Sequence, residues 1–245
     1  MNSRKNKTLL FAEDEPALLE IYSEWFKGLG YDVLSAKNGR EALSLCWNHH
    51  VDLVISDVCM PGGDGIELAR RLQATLPASP RLVFLTGSAD LSNDEAYYDL
   101  GACAILSKPM GRGELEQAVE RFLKSPRELW ATPPAAQMQT LVHKDYESLE
   151  WALERRELSL GRGGMFLRDC ELLPENIPLG FRLRFAGGSV ARMDGCGFLR
   201  WQRVVPHQEL PTGAGIEILH LAAQALDPVA ELISRANPKA FIPRG

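Results

Sequence analysis

Four places in the sequence put reactive side chains directly at the ends of short apolar runs. Glu13 and Asp14 follow TLLFA, Asp57 ends VDLVISD, Thr86 lies in RLVFLTG, and Lys108-Pro109 follows ACAILS. Three carboxylates, a hydroxyl and an ammonium are the groups needed to capture a phosphoryl group. A carboxylate attacks a phosphoryl donor poorly because both are negative, and a hard cation such as Mg²⁺ removes that repulsion. Glu13 and Asp14 can supply oxygens to the cation. Asp57 can supply one oxygen while the other attacks phosphorus, giving an aspartyl phosphate. Charge spread over the phosphoryl oxygens calls for fixed positive charge and hydrogen-bond donors, which Lys108 and the Thr86 hydroxyl offer.

For these groups to meet, the apolar runs must be parallel strands whose carboxyl ends share one crevice. TLLFA (8–12), DVLSA (32–36), VDLVISD (51–57), RLVFLTG (81–87) and ACAILS (102–107) read as strands. Helical spacing of apolar residues predicts helices over 16–29, 40–47, 66–76, 93–100 and 113–123. VDLVISD is the most apolar run, as a central parallel strand should be. Five such units predict an α/β doubly wound, five-stranded parallel sheet with helices on both faces. Ligands bind such sheets at the carboxyl ends of the strands, where strand order switches. His49-His50, at the end of the second helix, reads as a surface cap.

The chain has 245 residues, enough for two domains of roughly 100–150 residues. Residues 1–125 form the first, 126–140 a proline-containing linker (SPRELWATPPAAQMQ spans 125–139) and 141–245 the second. The net charge is −5, and the first 125 residues carry it, with 13 Lys/Arg against 18 Asp/Glu; the remainder has 14 of each. A neutral second half with no helix-turn-helix pattern argues against DNA binding. No run is long and apolar enough for membrane insertion, and the first residues lack a signal-peptide core, which predicts a cytoplasmic protein. The five cysteines are scattered without a CxxC pair and read as reduced thiols. The second half contains no acid/base or nucleophile constellation, so it is not read as an enzyme. Its pattern is a helix over 143–156, then short strands GMFLRD, FRLRFA, GFLRWQRVV and GIEILHL, then a helix over 227–236 capped by Asp227 and begun by Pro228. Trp201 and Met165-Phe166 read as packing, and Arg162, Arg168, Arg182 and Arg184 as solvated strand positions.

The first 125 residues resemble the receiver (CheY-like) domain of two-component signalling. LLFAEDEP is similar to that family's acidic-pair strand, VDLVISDVCMPGGDGIEL to its phospho-acceptor segment, FLTGSA to its switch strand and GACAILSKP to its Lys-Pro segment. The resemblance implies Mg²⁺ bound by Glu13, Asp14, Asp57 and the Cys59 backbone carbonyl, phosphorylation on Asp57, and Thr86 and Lys108 contacting the phosphoryl group. The cysteine thiol itself reads as a plain loop thiol. It also implies a sensor histidine kinase or phosphotransfer protein as donor. The output surface would be the fourth helix, fifth strand and fifth helix, with Tyr97, Tyr98 and Ile105. One position departs from the family, which usually has an aromatic residue where this chain has Ile105, so the output face would switch without a rotating ring.

The second half resembles, over about residues 141–240, the PilZ domain, a mainly β antiparallel barrel with a C-terminal helix. The motif lies in ELSLGRGGMFL, with Ser159 and Gly161 in the places of the family's polar pair and Gly163-Gly164 as its glycines. Such domains commonly bind cyclic di-GMP through an RxxxR arm. Here Arg155 and Arg156 are adjacent, the arm is missing, and the first barrel strand is replaced by a helix. The reading is a phosphoacceptor signalling protein with a PilZ-like output that contacts another protein and does not bind the dinucleotide. The alternative is a dual-input regulator that also binds cyclic di-GMP.

Overall fold

Leu9 to Ala12 and Leu53 to Ile55 are almost wholly buried at every position, so these strands have no polar face. Strands covered on both sides belong in a parallel sheet with helices above and below. The computed structural model describes residues 6–76, 79–87, 94–133, 140–174, 177–206, 210–236, 238 and 240–243, in two compact units, Met1–Leu123 and Lys124–Gly245. Ser88 and Ala89 of the expected switch segment, Asn93 at the head of the fourth expected helix, residues 134–139 of the expected linker and Asn237 lie outside the described residues.

The first unit alternates β1 (Thr8–Ala12), α1 (Pro16–Gly28), β2 (Asp32–Ala36), α2 (Gly39–Asn48), β3 (Leu53–Asp57), α3 (Gly65–Thr75), β4 (Arg81–Thr86), α4 (Asp94–Asp99), β5 (Ala102–Ser107) and α5 (Arg112–Leu123). All pairings are parallel, in the order β2-β1-β3-β4-β5. Order therefore reverses between β1 and β3, which opens a crevice at their carboxyl ends. In α1, Leu19, Tyr22, Ser23 and Phe26 are the buried residues, one stripe at helical spacing. Asn38 and Asp64 cap α2 and α3 by accepting from Glu41 N and Glu67 N at 2.9 and 2.7 Å. Tyr97 and Tyr98 do not form the expected surface. Both are buried, and the Tyr97 ring lies 5.3 Å from that of Phe84.

The second unit contains α6 (Pro126–Trp130), β6 (Thr140–Ser148), α7 (Leu149–Glu154), β7 (Leu158–Leu160), β8 (Gly164–Arg168), β9 (Pro178–Gly187), β10 (Arg192–Arg203), β11 (Gly213–Leu221) and α8 (Ala223–Ala236). The expected linker thus opens with a helix. Ser125 and Glu128 form a capping box, Pro126 suits the first turn, and Trp130 is fully buried with its carbonyl 2.9 Å from His220 Nδ1. The helix expected over 143–156 is a strand followed by a short helix. From Val142 to Ser148 exposure alternates with partial or full burial, which is strand period, and Ser148 then caps α7.

The strand order is β6-β9-β10-β11-β8-β7, with β6 parallel to β9 and the other pairs antiparallel. This is a mixed sheet rather than the expected antiparallel barrel. It curls, because Lys144 on edge strand β6 donates to the carbonyls of Arg168 and Asp169 at the end of β8, across the sheet, both at 2.9 Å. Helix α8 starts four residues earlier than expected, with Pro228 inside it. Trp201 and Phe166 are buried, and their rings stack at 5.6 Å. Gly215 pairs with both residues in the sheet, and a side chain there would collide with the Trp201 ring. Gly215→Val is expected to destabilise the second unit by about 1–3 kcal/mol through overpacking. Gly28→Ala, where no atom lies within 4 Å, is expected to be neutral or to stabilise by up to about 1 kcal/mol. Urea unfolding of the two variants would check both.

Candidate functional site

The crevice at the β1/β3 switch point receives one carboxylate from the end of each strand and one more from the next residue. Glu13 continues β1, held by its amide to Ala36 O at 3.1 Å, and its side chain is 2% exposed. Asp14 follows it and is exposed. Asp57 is the last residue of β3, with its side chain 13% exposed. One oxygen from each of Glu13, Asp14 and Asp57 can be chosen so that all lie within 4.8 Å of one another, the one such cluster among the described residues.

Lys108 enters from the end of β5. Its ammonium donates to Glu13 Oε2 at 2.7 Å and to Asp57 Oδ2 at 2.5 Å. Burial opposes the ammonium charge, yet the hydrogen bonds it donates to Asp57 and Glu13, with their negative charges, outweigh burial and hold the Lys108 pKa above its usual value. Burial also dominates at Glu13 and, aided by the nearby Asp57 charge, pushes its carboxyl up in spite of Lys108. One ammonium among three carboxylates leaves excess negative charge in a partly buried place, which is costly without a further cation. Oxygen donors of this kind and number suit a hard divalent ion such as Mg²⁺.

The backbone fixes Asp57 from several sides. Val58 N bonds to Leu85 O at 3.0 Å and Gly65 N to Val58 O at 2.9 Å, so the segment after β3 folds back at once to start α3. A side chain at Gly65 would strike the Asp57 carbonyl. Cys59 donates its amide to Asp57 Oδ1 at 3.1 Å, and the residue is exposed. Thr86 is fully buried and its hydroxyl donates to Gly87 O at 3.1 Å, while its carbonyl accepts from Lys108 N at 2.7 Å. The peptide bond Lys108-Pro109 is cis. Ile105 pairs with Phe84 and packs, half-buried, against the core that includes Tyr97.

The structure therefore gathers Glu13, Asp14, Asp57 and Lys108 into one cluster, with Cys59 joined to it through its amide and Thr86 through its carbonyl. Two features escaped the sequence reading. Lys108 grips Glu13 as well as Asp57, and Gly65 is needed for the approach to Asp57. The second had a signal in GGDG, where glycine clustering just beyond an acidic strand end marks close backbone contact. His49 is the C-terminal cap of α2, and His50 Nε2 lies 3.7 Å from Asp52.

No disulfide joins the described cysteines, and burial pushes the Cys46 thiol up to about 12. No helix among the described residues is long and apolar enough to cross a membrane.

Residues 9–120 match the family model described as the response regulator receiver domain. Sporulation initiation phosphotransferase F of Bacillus subtilis is 30% identical over 118 residues, which are 48% of this chain and 94% of that protein. The transcriptional regulatory protein GlrR of Escherichia coli is 33% identical over 122 residues, 50% of this chain. The chain spans only 27% of that relative's length. A solved structure of a response regulator from Chloroflexus aurantiacus is 33% identical, covering 49% of this chain and 98% of its own, with a TM-score of 0.45. Through its first unit, the chain belongs to the response regulator receiver family.

Proposed function

We propose that this protein is a two-component response regulator that accepts a phosphoryl group on Asp57 in a Mg²⁺-dependent reaction and signals through its second unit by contact with another protein. The observation that carries this reading is the convergence of Glu13, Asp14 and Asp57 at the β1/β3 switch point, with the Lys108 ammonium bonded to Glu13 and Asp57. Glu13, Asp14, Asp57 and the Cys59 carbonyl would hold Mg²⁺, which would offset the repulsion between the Asp57 carboxylate and an anionic donor. A carboxylate oxygen of Asp57 forms the new bond to phosphorus as the donor's bond to phosphorus breaks. The leaving group, a histidine imidazole of a kinase or phosphotransfer protein, keeps that electron pair. Lys108 has three N–H donors, of which two are spent on Glu13 and Asp57, and the third suits a phosphoryl oxygen. Thr86 can join it only by releasing Gly87 O, a neutral hydrogen bond worth about 0.5–1.5 kcal/mol. That exchange couples the phosphoryl group to the end of β4 and, through Phe84, Ile105 and Tyr97, to α4 and β5.

The second unit is read as a PilZ-like output that does not take cyclic di-GMP. Its GRGG turn precedes β8, and the sheet ends in a closing helix. An RxxxR arm is absent upstream, so no pair of guanidiniums is placed there to clamp the phosphates. The turn is also occupied by the chain itself. Gly163 N donates to Phe241 O at 2.9 Å, Arg162 N to Ala240 O at 3.1 Å, and the Phe241 ring lies against Gly163.

Incubation with acetyl phosphate and Mg²⁺ is expected to add one phosphoryl group, and a chelator to prevent it. Labelling of Asp57→Asn to the same extent would make the acceptor assignment wrong. Asp14→Ala is expected to weaken Mg²⁺ binding about tenfold or more, since about 1.4 kcal/mol of a lost ionic ligand is already tenfold. Calorimetry with cyclic di-GMP is expected to show no saturable binding at micromolar concentrations; a stoichiometric complex in that range would instead make the chain a dual-input regulator.

A further inference from the structure

The second unit carries charges in register on one face of its sheet. Asp145 of β6 pairs with Arg184 of β9, which pairs in turn with Arg192 of β10. Two residues along, on the same face, Arg182 pairs with Asp194. Asp194 is shared, accepting from Arg182 Nε at 2.9 Å and approached by Arg192 Nε at 2.7 Å. Three guanidiniums thus face two carboxylates. The Arg184 residue is exposed, and its side chain makes no hydrogen bond or ion pair among the described residues. Like charges directly opposite one another in a sheet repel; Asp145, opposite Arg184 on its other side, offsets part of this repulsion without an ion pair to the Arg184 guanidinium.

The row opens on a cavity of about 690 Å³ lined by Asp145, Arg184, Arg192 and Gln224, among others. That volume is within the range of roughly 300–1,000 Å³ typical of small-molecule sites. Gln224 lies in the first turn of α8, whose start is pinned by Ala222 N to Asp194 O at 2.8 Å. With its amide oxygen turned to Arg192, Gln224 accepts from Arg192 Nη2 at 3.2 Å and Nε at 3.0 Å. Arg192 is therefore fixed from two sides before any ligand arrives, which lowers the ordering cost of binding. Its Nη1 keeps its donors.

We propose that this cavity binds a small phosphate monoester, with Arg184 and Arg192 gripping the phosphoryl group. A monoester dianion has three terminal oxygens and can take paired N–H bonds from two guanidinium forks. A phosphodiester, with one charge and two free oxygens, fits this pair less well. Asp145 repels a second anionic group and accepts from hydroxyls, so the organic part is an uncharged polyol of sugar type.

The test is titration of ribose 5-phosphate and of ribose into the full chain without Mg²⁺, followed by calorimetry and amide NMR. Saturable binding of ribose 5-phosphate and none of ribose is expected, with shifts at Arg184, Arg192 and Gln224. Arg184→Gln, which removes both bonds of one fork, is expected to weaken binding about tenfold or more. Arg184→Lys, which keeps the charge and loses the fork, is expected to fall between. Arg235→Gln, at the far end of α8, is expected to leave the affinity unchanged. Absence of saturation at millimolar concentrations, an affinity unaffected by Arg184→Gln, or shifts confined to the carboxylate cluster of the first unit would each overturn the proposal.

Discussion

The ammonium of Lys108 stands between Glu13 and Asp57, and the crevice depends on it. Two strand ends that each deliver a carboxylate to a half-buried point would repel one another, and Asp14 adds a third charge. Lys108 offsets part of this by donating to both strand ends at 2.7 and 2.5 Å. It leaves a surplus of negative charge at the crevice. The parallel sheet makes the arrangement possible, because the order β2-β1-β3-β4-β5 puts the ends of β1 and β3 side by side and carries β5 far enough for a long side chain to reach back.

Much of this was legible in the sequence, for a physical reason. Strands buried on both faces are written as unbroken apolar runs, and the reactive residues follow those runs directly, so LLFAED, VISD and AILSK announce both element and site. The adjacent tyrosines of α4 were misread as surface. Tyr97 fills space beside Phe84, and a helix of six residues shows too little periodicity to tell which side is inward. The bond from Lys108 to Glu13 could not be read either, since it is set by the reach of a side chain over a sheet edge.

The second unit was less legible because its shape comes from distant pairings. The parallel partner of β6 is β9, reached after α7, β7 and β8, and no local pattern marks that choice. The run from His143 to Arg156 contains a strand and a short helix, and apolar residues at Leu149, Ala152 and Leu153 lent helical spacing to the whole. Trp130, in a stretch of prolines and alanines, looked like linker, yet burying its ring ties α6 to β11 and α8. Glycines were the more dependable guide. Gly163 and Gly215 mark where the aromatic rings of Phe241 and Trp201 press on the backbone.

On the proposed reading Asp57 is the oxygen nucleophile of the crevice, and Glu13 and Asp14 serve the cation and not the phosphoryl group. An acyl phosphate is reduced by borohydride to the alcohol, which leaves a permanent mass change on the residue that carried it. Treatment of the phosphorylated full chain with borohydride, digestion and sequencing of the peptides by mass spectrometry locates that residue. The account predicts reduction at Asp57 alone; reduction at Glu13 or Asp14 in its place would contradict it.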